Sequence, residues 1–264
     1  MTTAEDCTRW WETSVSRIAP GEIDLRGYPV QELIGRLSFP DMIWLMVRGE
    51  LPGPGQARLL EAALVAAVDH GPQAPSIASA RMAATCGLGL NSAMANGVNT
   101  LGDVHGGAGQ QCVQVLEDVV ADGRSEAAAE LVARYRQERR HVPGFGHRFH
   151  PRDPRRDPLL NLVAEARDAG QVKGLHLEAA LALEAALSVG RERPVPMNID
   201  GATAVVYAEL GIEPELARGM FVLSRSVGIL AHAWEEKQSG RRIKGPLPPP
   251  LLADYTGPRR SMLP

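Results

Sequence analysis

Between residues 76 and 109, in SIASARMAATCGLGLNSAMANGVNTLGDVHGGAG, half of the positions are alanine, glycine or serine. A soluble segment with so few bulky side chains suits helices whose backbones approach closely, or helices that line a ligand. The stretch therefore belongs inside the protein. Aromatic residues make up only 5% of the 264. Alanine and leucine recur elsewhere at helical rather than alternating spacing, which predicts an all-α fold.

Start and stop signals divide that pattern into elements. In SFPDMIWLMVRG, Ser38, Pro40 and Asp41 form a capping box with an early proline, and Gly49 closes the helix. GQARLLEAALVAAVDHG follows, apolar nearly all round and ending near His70. Further helices are expected at 125–140, at 158–169 with Asp157 as cap and Gly170 after it, at 175–189, at 202–210 and at 214–238. The proline-rich tail GPLPPPLLADYTGPRR reads as extended and suited to wrapping a neighbour. No internal repeat is visible.

The 28 Lys and Arg against 31 Asp and Glu leave a formal net charge of -3. That balance provides no general attraction to nucleic acid or to an anionic membrane, so anion binding must be local. No run of apolar residues is long enough to span a bilayer, and the first residues lack a basic start followed by an apolar stretch, so a cytoplasmic protein is expected. Cys7, Cys86 and Cys112 are odd in number and lack CxxC spacing, which supports neither a disulfide framework nor a zinc ribbon. They read as reduced, mostly buried thiols.

The densest chemistry lies in HVPGFGHRFHPRDPRRDPLL, residues 141–160. Prolines would hold this loop still, Gly144 and Gly146 let a ligand approach the backbone, and His147, Arg148, Arg152, Arg155 and Arg156 offer donors to carboxylate or phosphate oxygens. A solvated basic loop is the plain alternative. The spacing His147-x-x-His150 is a poor metal site, since nothing at ligand spacing completes a set. His105 precedes Gly106 and Gly107 and could donate to a substrate lying on the backbone, or be structural. Asp200 in NIDG could equally be a helix N-cap, and His70 could simply complement a helix end. Arg225, within an apolar stretch, requires an anionic partner if buried. CGLGLNS lacks the preceding strand and third glycine of a dinucleotide fingerprint.

Taken in order, RGYPVQELIGRLSFPDMIWLMVRGELP, DHG, HGGA, PGFGHR…DPR, NIDG and SRSVGILAHAWE resemble the citrate synthase superfamily from about Ile23 to Pro246. Only 20 residues separate Gly49 from His70, where full-length citrate synthases carry further helices. The chain is most similar to the short form seen in citryl-CoA lyase and the citryl-CoA-cleaving module of ATP-citrate lyase. The resemblance implies a citrate synthase-like two-lobed fold, with a small helical domain over 105–205 and a large one over 1–104 and 206–264. It also implies a homodimer acting on a coenzyme A thioester and a small 2-oxo acid such as oxaloacetate, with no metal or redox cofactor.

Motif by motif, the resemblance makes Asp200 the base for the methyl proton of acetyl-CoA. His105 becomes the donor to the thioester oxygen as it turns into an enolate, and His147 the group that polarises the ketone and protonates the new alkoxide. His70, Arg155 and Arg225 would hold the substrate's carboxylates and hydroxyl. Pro143, Gly144, Phe145, Gly146, Arg148 and Arg152 would support coenzyme A. An ordinary aspartate, with pKa about 3.9, is badly matched to a thioester methyl, so burial and a preorganised donor at the enolate oxygen must supply the difference. Microscopic reversibility leaves cleavage and condensation equally open. One departure stands out: Gly245 occupies the position of a second carboxylate-binding arginine, for which Arg241, Arg242, Lys244, Arg259 or Arg260 are possible replacements. The rival readings are a short citrate or 2-methylcitrate synthase that also hydrolyses the thioester, and a non-catalytic paralogue that binds acyl-CoA or a dicarboxylate.

Overall fold

The structure is a computed structural model that describes residues 4–146, 151–248, 251–258 and 260. Helix α1 (Ala4–Trp10) is followed by an element that helical spacing does not announce. This is an antiparallel meander of β1 (Ser16–Ala19), β2 (Glu22–Leu25) and β3 (Tyr28–Pro29). Its strands are too short for alternation to be read, and the legible signals were the turns, where Gly21 at φ 79° and Gly27 at φ 85° adopt a conformation other residues rarely take.

Helices α2 (Val30–Leu33) and α3 (Phe39–Arg48) come next. The box at Ser38 forms as its sequence dictates: Asp41 N donates to Ser38 Oγ at 3.3 Å, and Ser38 N donates to the Asp41 carboxylate at 3.0 Å. Gly49, left-handed at φ 83°, ends α3. Trp44 and Leu45 of this helix are buried, each worth about 2 kcal/mol in apolar transfer. Helix α4 (Pro54–Ala66) stops short of the expected end, so His70 lies on the connection beyond it rather than at the helix terminus. The remaining helices are α5 (Pro75–Thr85), α6 (Leu90–Asn99), α7 (Ala108–Asp122), α8 (Ala127–Gln137), α9 (Arg156–Asp168), α10 (Leu175–Ser188), α11 (Ile199–Glu209) and α12 (Pro214–Gln238).

Two helix starts differ from expectation. Helix α9 begins at Arg156, and the Asp157 carboxylate accepts from Arg152 and Arg156 instead of capping. Helix α11 begins at Ile199, and its cap is Asn198 rather than Asp200.

The chain divides into two compact units, Met1–Val68 with Asp103–Ser224 and Asp69–Gly102 with Arg225–Pro264. This grouping differs from 105–205 against 1–104 with 206–264. Helix α4 packs on α9 and α11, which puts the N-terminal residues in one unit with the helices that follow Asp103. In the larger unit α11 is the axis, with α4, α7, α9 and α10 around it. Ile199 and every residue from Gly201 to Ala208 are buried.

In the smaller unit α5 and α6 pack on each other, with Ile229 and Ala233 of α12 in the same cluster as Ile77, Ala80 and Ala93. Here the small residues act as expected. A Cβ on Gly97 would lie 2.8 Å from both the Ser76 carbonyl and the Ile229 side chain, so only glycine permits the approach. Cys112 is buried, whereas Cys86, expected to be mostly buried, is exposed.

Candidate active site

The site is built from the start of α11. Asn198, extended at φ -99°, accepts at its Oδ1 from Asp200 N at 2.9 Å and Gly201 N at 3.3 Å. The capping duty that could have explained Asp200 therefore belongs to Asn198. Asp200 sits half-buried in the first turn.

Against this start lies the loop expected to bear coenzyme A. Asn198 N donates to the Gly144 carbonyl at 3.0 Å, Gly146 N to the Pro196 carbonyl at 2.7 Å, and Asn198 Nδ2 to the Gly146 carbonyl at 2.8 Å. Phe145 and Met197 form the antiparallel bridge between the two segments. Gly144 is left-handed at φ 84°, and a Cβ on it would stand 2.6 Å from Cys112 Sγ and 2.8 Å from Gly201 Cα. Glycine at 144 and 201 thus allows loop and helix start to touch backbone to backbone. Phe145 and Gly144 are buried. His147 and Arg148, next in the chain, lie outside the described residues.

Behind the loop stand two acid–arginine pairs of different kinds. Arg155 makes a two-pronged contact with Asp153, Nε and Nη2 each 2.9 Å from a carboxylate oxygen. Asp153 is fully buried and also accepts from Ile199 N at 3.1 Å, tying the arginine to the start of α11. Arg156 is buried and bonded to both Glu184 and Asp157, while Glu184 also accepts from Met197 N at 2.7 Å. Arg156 is a structural strut. Arg152 projects at the surface and is held by Asp157 through two 2.7 Å bonds.

His105 is half-buried in the turn that precedes α7. Three features fix that turn: Arg218 donates to the Asp103 carboxylate, Gln111 Nε2 donates to the Asp103 carbonyl at 3.2 Å, and Gly107 comes so close to Asp103 that a Cβ would fall 2.6 Å from its carbonyl oxygen. Helices α7 and α11 pack together with their first turns adjacent, a Cβ on Gly109 lying 3.9 Å from the Asp200 carbonyl oxygen. A carboxylate in one first turn, and an imidazole just ahead of the other, can serve as proton acceptor and hydrogen-bond donor. Two positive helix ends beside them favour negative charge developing on a bound oxygen. Cys112, on α7 against the loop, has its thiol pushed up by burial and by the charge of Asp200, which favours the protonated form.

The remaining candidates belong to the smaller unit. Arg225 is buried on α12 and His70 is exposed on the segment after α4. Gly245 is followed by irregular chain, and Lys244 beside it is engaged by the buried Glu236 at 2.9 Å, which leaves Arg241, Arg242 and Arg260 as the described exposed arginines near the missing clamp in sequence. Arg259 lies outside the described residues. Sequence reasoning missed Asn198, Asp153, Glu184 and Arg218. Asn198 alone carried a usable signal, because asparagine is as good an N-cap as aspartate. Among the described residues no group of three or more His, Cys, Asp or Glu could hold a metal ion, and no helix is long and apolar enough to cross a membrane.

The family model described as "Citrate synthase, C-terminal domain" matches residues 52–246, and the chain belongs to that family. It is similar to the citrate synthase of Haloferax volcanii, 33% identical over 216 residues, covering 80% of this chain and 53% of that protein. Citrate synthase 2 of Bacillus subtilis is 29% identical over 215 residues. The chain spans about half the length of these curated relatives. Among solved structures, citryl-CoA lyase from Hydrogenobacter thermophilus matches with TM-score 0.86 and 32% identity, covering 96% of this chain and 97% of that one. The ATP citrate lyase of Methanothrix soehngenii, at TM-score 0.80 and 20% identity over 42% of its own length, shares the fold.

Proposed function

We propose that the chain breaks or makes the carbon–carbon bond between the acetyl group of acetyl-CoA and the keto carbon of a 2-oxo acid, oxaloacetate first among them, as a citryl-CoA lyase. The observation that carries this reading is the cap at Asn198, which places Asp200 in the first turn of α11 beside the start of α7. Agreement in extent with a citryl-CoA lyase over nearly the whole of both chains supports the short, cleaving form.

In the cleavage direction His147 takes the hydroxyl proton of citryl-CoA. The bond to the acetyl carbon then opens to give a ketone and an enolate, His105 holds the enolate oxygen, and Asp200 in its acid form returns a proton to carbon. Condensation is the same sequence reversed, and neither direction calls for a metal or redox cofactor. His70, Arg155 and Arg225 are proposed as holders of the carboxylates and hydroxyl. The backbone of 143–146, with Arg148 and Arg152, is proposed to support coenzyme A. The chain is further proposed to work in the cytoplasm as a homodimer. The exposed apolar residues Val227, Leu230 and Trp234, which follow one another along α12, are a surface suited to a second copy.

The test is to supply purified protein with citryl-CoA and, separately, with acetyl-CoA plus a panel of 2-oxo acids, reading products by mass spectrometry. Wild type is expected to convert at least one, and Asp200→Asn to lose at least about 10²-fold in rate. Equal rates in the two proteins would remove the base from the mechanism. The 33% identity to a citrate synthase favours a second reading, a short synthase that also hydrolyses the thioester. Release of free thiol from acetyl-CoA and oxaloacetate separates that reading from a lyase.

A further inference from the structure

His70 is carried on a short turn in the smaller unit, and the side chain that shapes this turn is its neighbour. Asp69 Oδ2 accepts from Gly71 N at 3.1 Å, bridging across His70. Gly71 takes the left-handed φ of 87° that lets the turn close, and its carbonyl accepts from Ala74 N at 3.2 Å. The other oxygen, Asp69 Oδ1, is sealed from solvent and has no hydrogen bond in the structure. What faces it is an imidazole from α12: His232 Nε2 lies 3.3 Å away. The remaining ring nitrogen, Nδ1, is also sealed and unbonded, with the Glu235 carboxylate at 3.8 Å as its nearest charged neighbour. An enclosed carboxylate oxygen needs a donor or a positive charge beside it, and His232 supplies that here.

We propose that His232 is a positioning residue, acting through Asp69 to hold the turn that presents His70 to substrate. The inference rests on the substrate-holding role proposed above for His70. The two oxygens of Asp69 do separate jobs: one closes the turn around His70, and the other ties that turn to α12. Burial alone would push the Asp69 carboxyl up, but the Gly71 amide and His232 outweigh it and hold the group below its ordinary range, so the tie is between charged or strongly polar partners at neutral pH. Without His232, Asp69 gains by turning its enclosed oxygen toward water. It then releases Gly71, and His70 loses its fixed direction.

A residue that only orients a substrate-holding group weakens ground-state and transition-state binding alike, so the effect falls on KM rather than kcat. The position of the donor nitrogen gives the discriminating test. Glutamine places an amide nitrogen near the position of imidazole Nε2, and asparagine near that of Nδ1, so Gln restores the donor to Asp69 and Asn does not. Full-length wild type, His232→Gln, His232→Asn and Asp200→Asn are to be assayed for citryl-CoA cleavage and for condensation of acetyl-CoA with oxaloacetate.

The expected result is a KM for citryl-CoA and for oxaloacetate raised about tenfold in His232→Asn, with kcat within about twofold, and a KM within about twofold of wild type in His232→Gln. Equal KM in all three proteins with intact His70 and Asp200 would overturn the inference. So would equal KM increases in the Gln and Asn variants, which would show that the ring merely fills space. If His232→Asn is too unstable to assay, His232→Ala, alone and combined with Asp69→Asn, serves instead: a double variant no worse than Asp69→Asn alone supports the coupling, and additive KM losses refute it. An Asp200→Asn enzyme as fast as wild type strikes the functional reading itself, and is distinguishable because the His232 series would still show its own KM pattern.

Discussion

Asn198 uses its side chain in two directions, accepting from the first amides of α11 and donating to the Gly146 carbonyl. Replacing it with alanine therefore removes a cap and a loop tether together. Asn198→Ala is expected to lower stability by about 1–2 kcal/mol in urea unfolding, and to lower activity by a larger factor than the same loss would cause at a surface helix. Asp200 was legible as a candidate from its motif, yet the same letters allowed it to be nothing more than a cap, and the structure gives the capping role to the neighbouring Asn198. Asp153 was not legible at all. Its importance comes from burial beside Arg155 and from the Ile199 amide 46 positions away, and no local pattern encodes a contact of that range.

At the scale of elements, caps that reach between helices govern how the larger unit is set. Glu209, at the end of α11, turns its buried carboxylate onto the start of α10, accepting from Gly174 N at 2.8 Å, His176 N at 2.7 Å and Leu177 N at 3.1 Å. Burial pushes this carboxyl up, but the His176 side chain and those three amides outweigh it and hold it below the ordinary 4.5. Its contribution is thus complete above about pH 4.5 and lost as pH falls through the lower folded-state value. Glu209→Gln is expected to be less stable by about 1–2 kcal/mol at pH 7, with the difference shrinking below pH 4.5, as urea midpoints across a pH series would read. Helices with private signals, such as α3 between Ser38 and Gly49, were readable to the residue. Those whose ends are satisfied from another helix were readable only as periodic runs, and the meander at 16–29 was hidden because its strands are shorter than the period needed to detect them.

At the scale of the whole molecule, the division of the chain could not be read from motif order, because packing of α4 on α9 and α11 joins segments the sequence holds far apart. The exposed apolar residues on α12 give the proposed dimer its check: sedimentation is expected to read twice the 28.4 kDa chain mass, and Leu230→Glu to return it toward a single chain, since a charge in a buried contact is expensive. A last consequence follows from how residues 144–146 are attached to 196–198. Two of the three bonds there run from amide to carbonyl and are blind to side-chain identity. Apolar changes of similar volume at the buried positions 142 and 145 should therefore leave the loop's attachment in place, provided Gly144, Gly201 and Asn198 are spared.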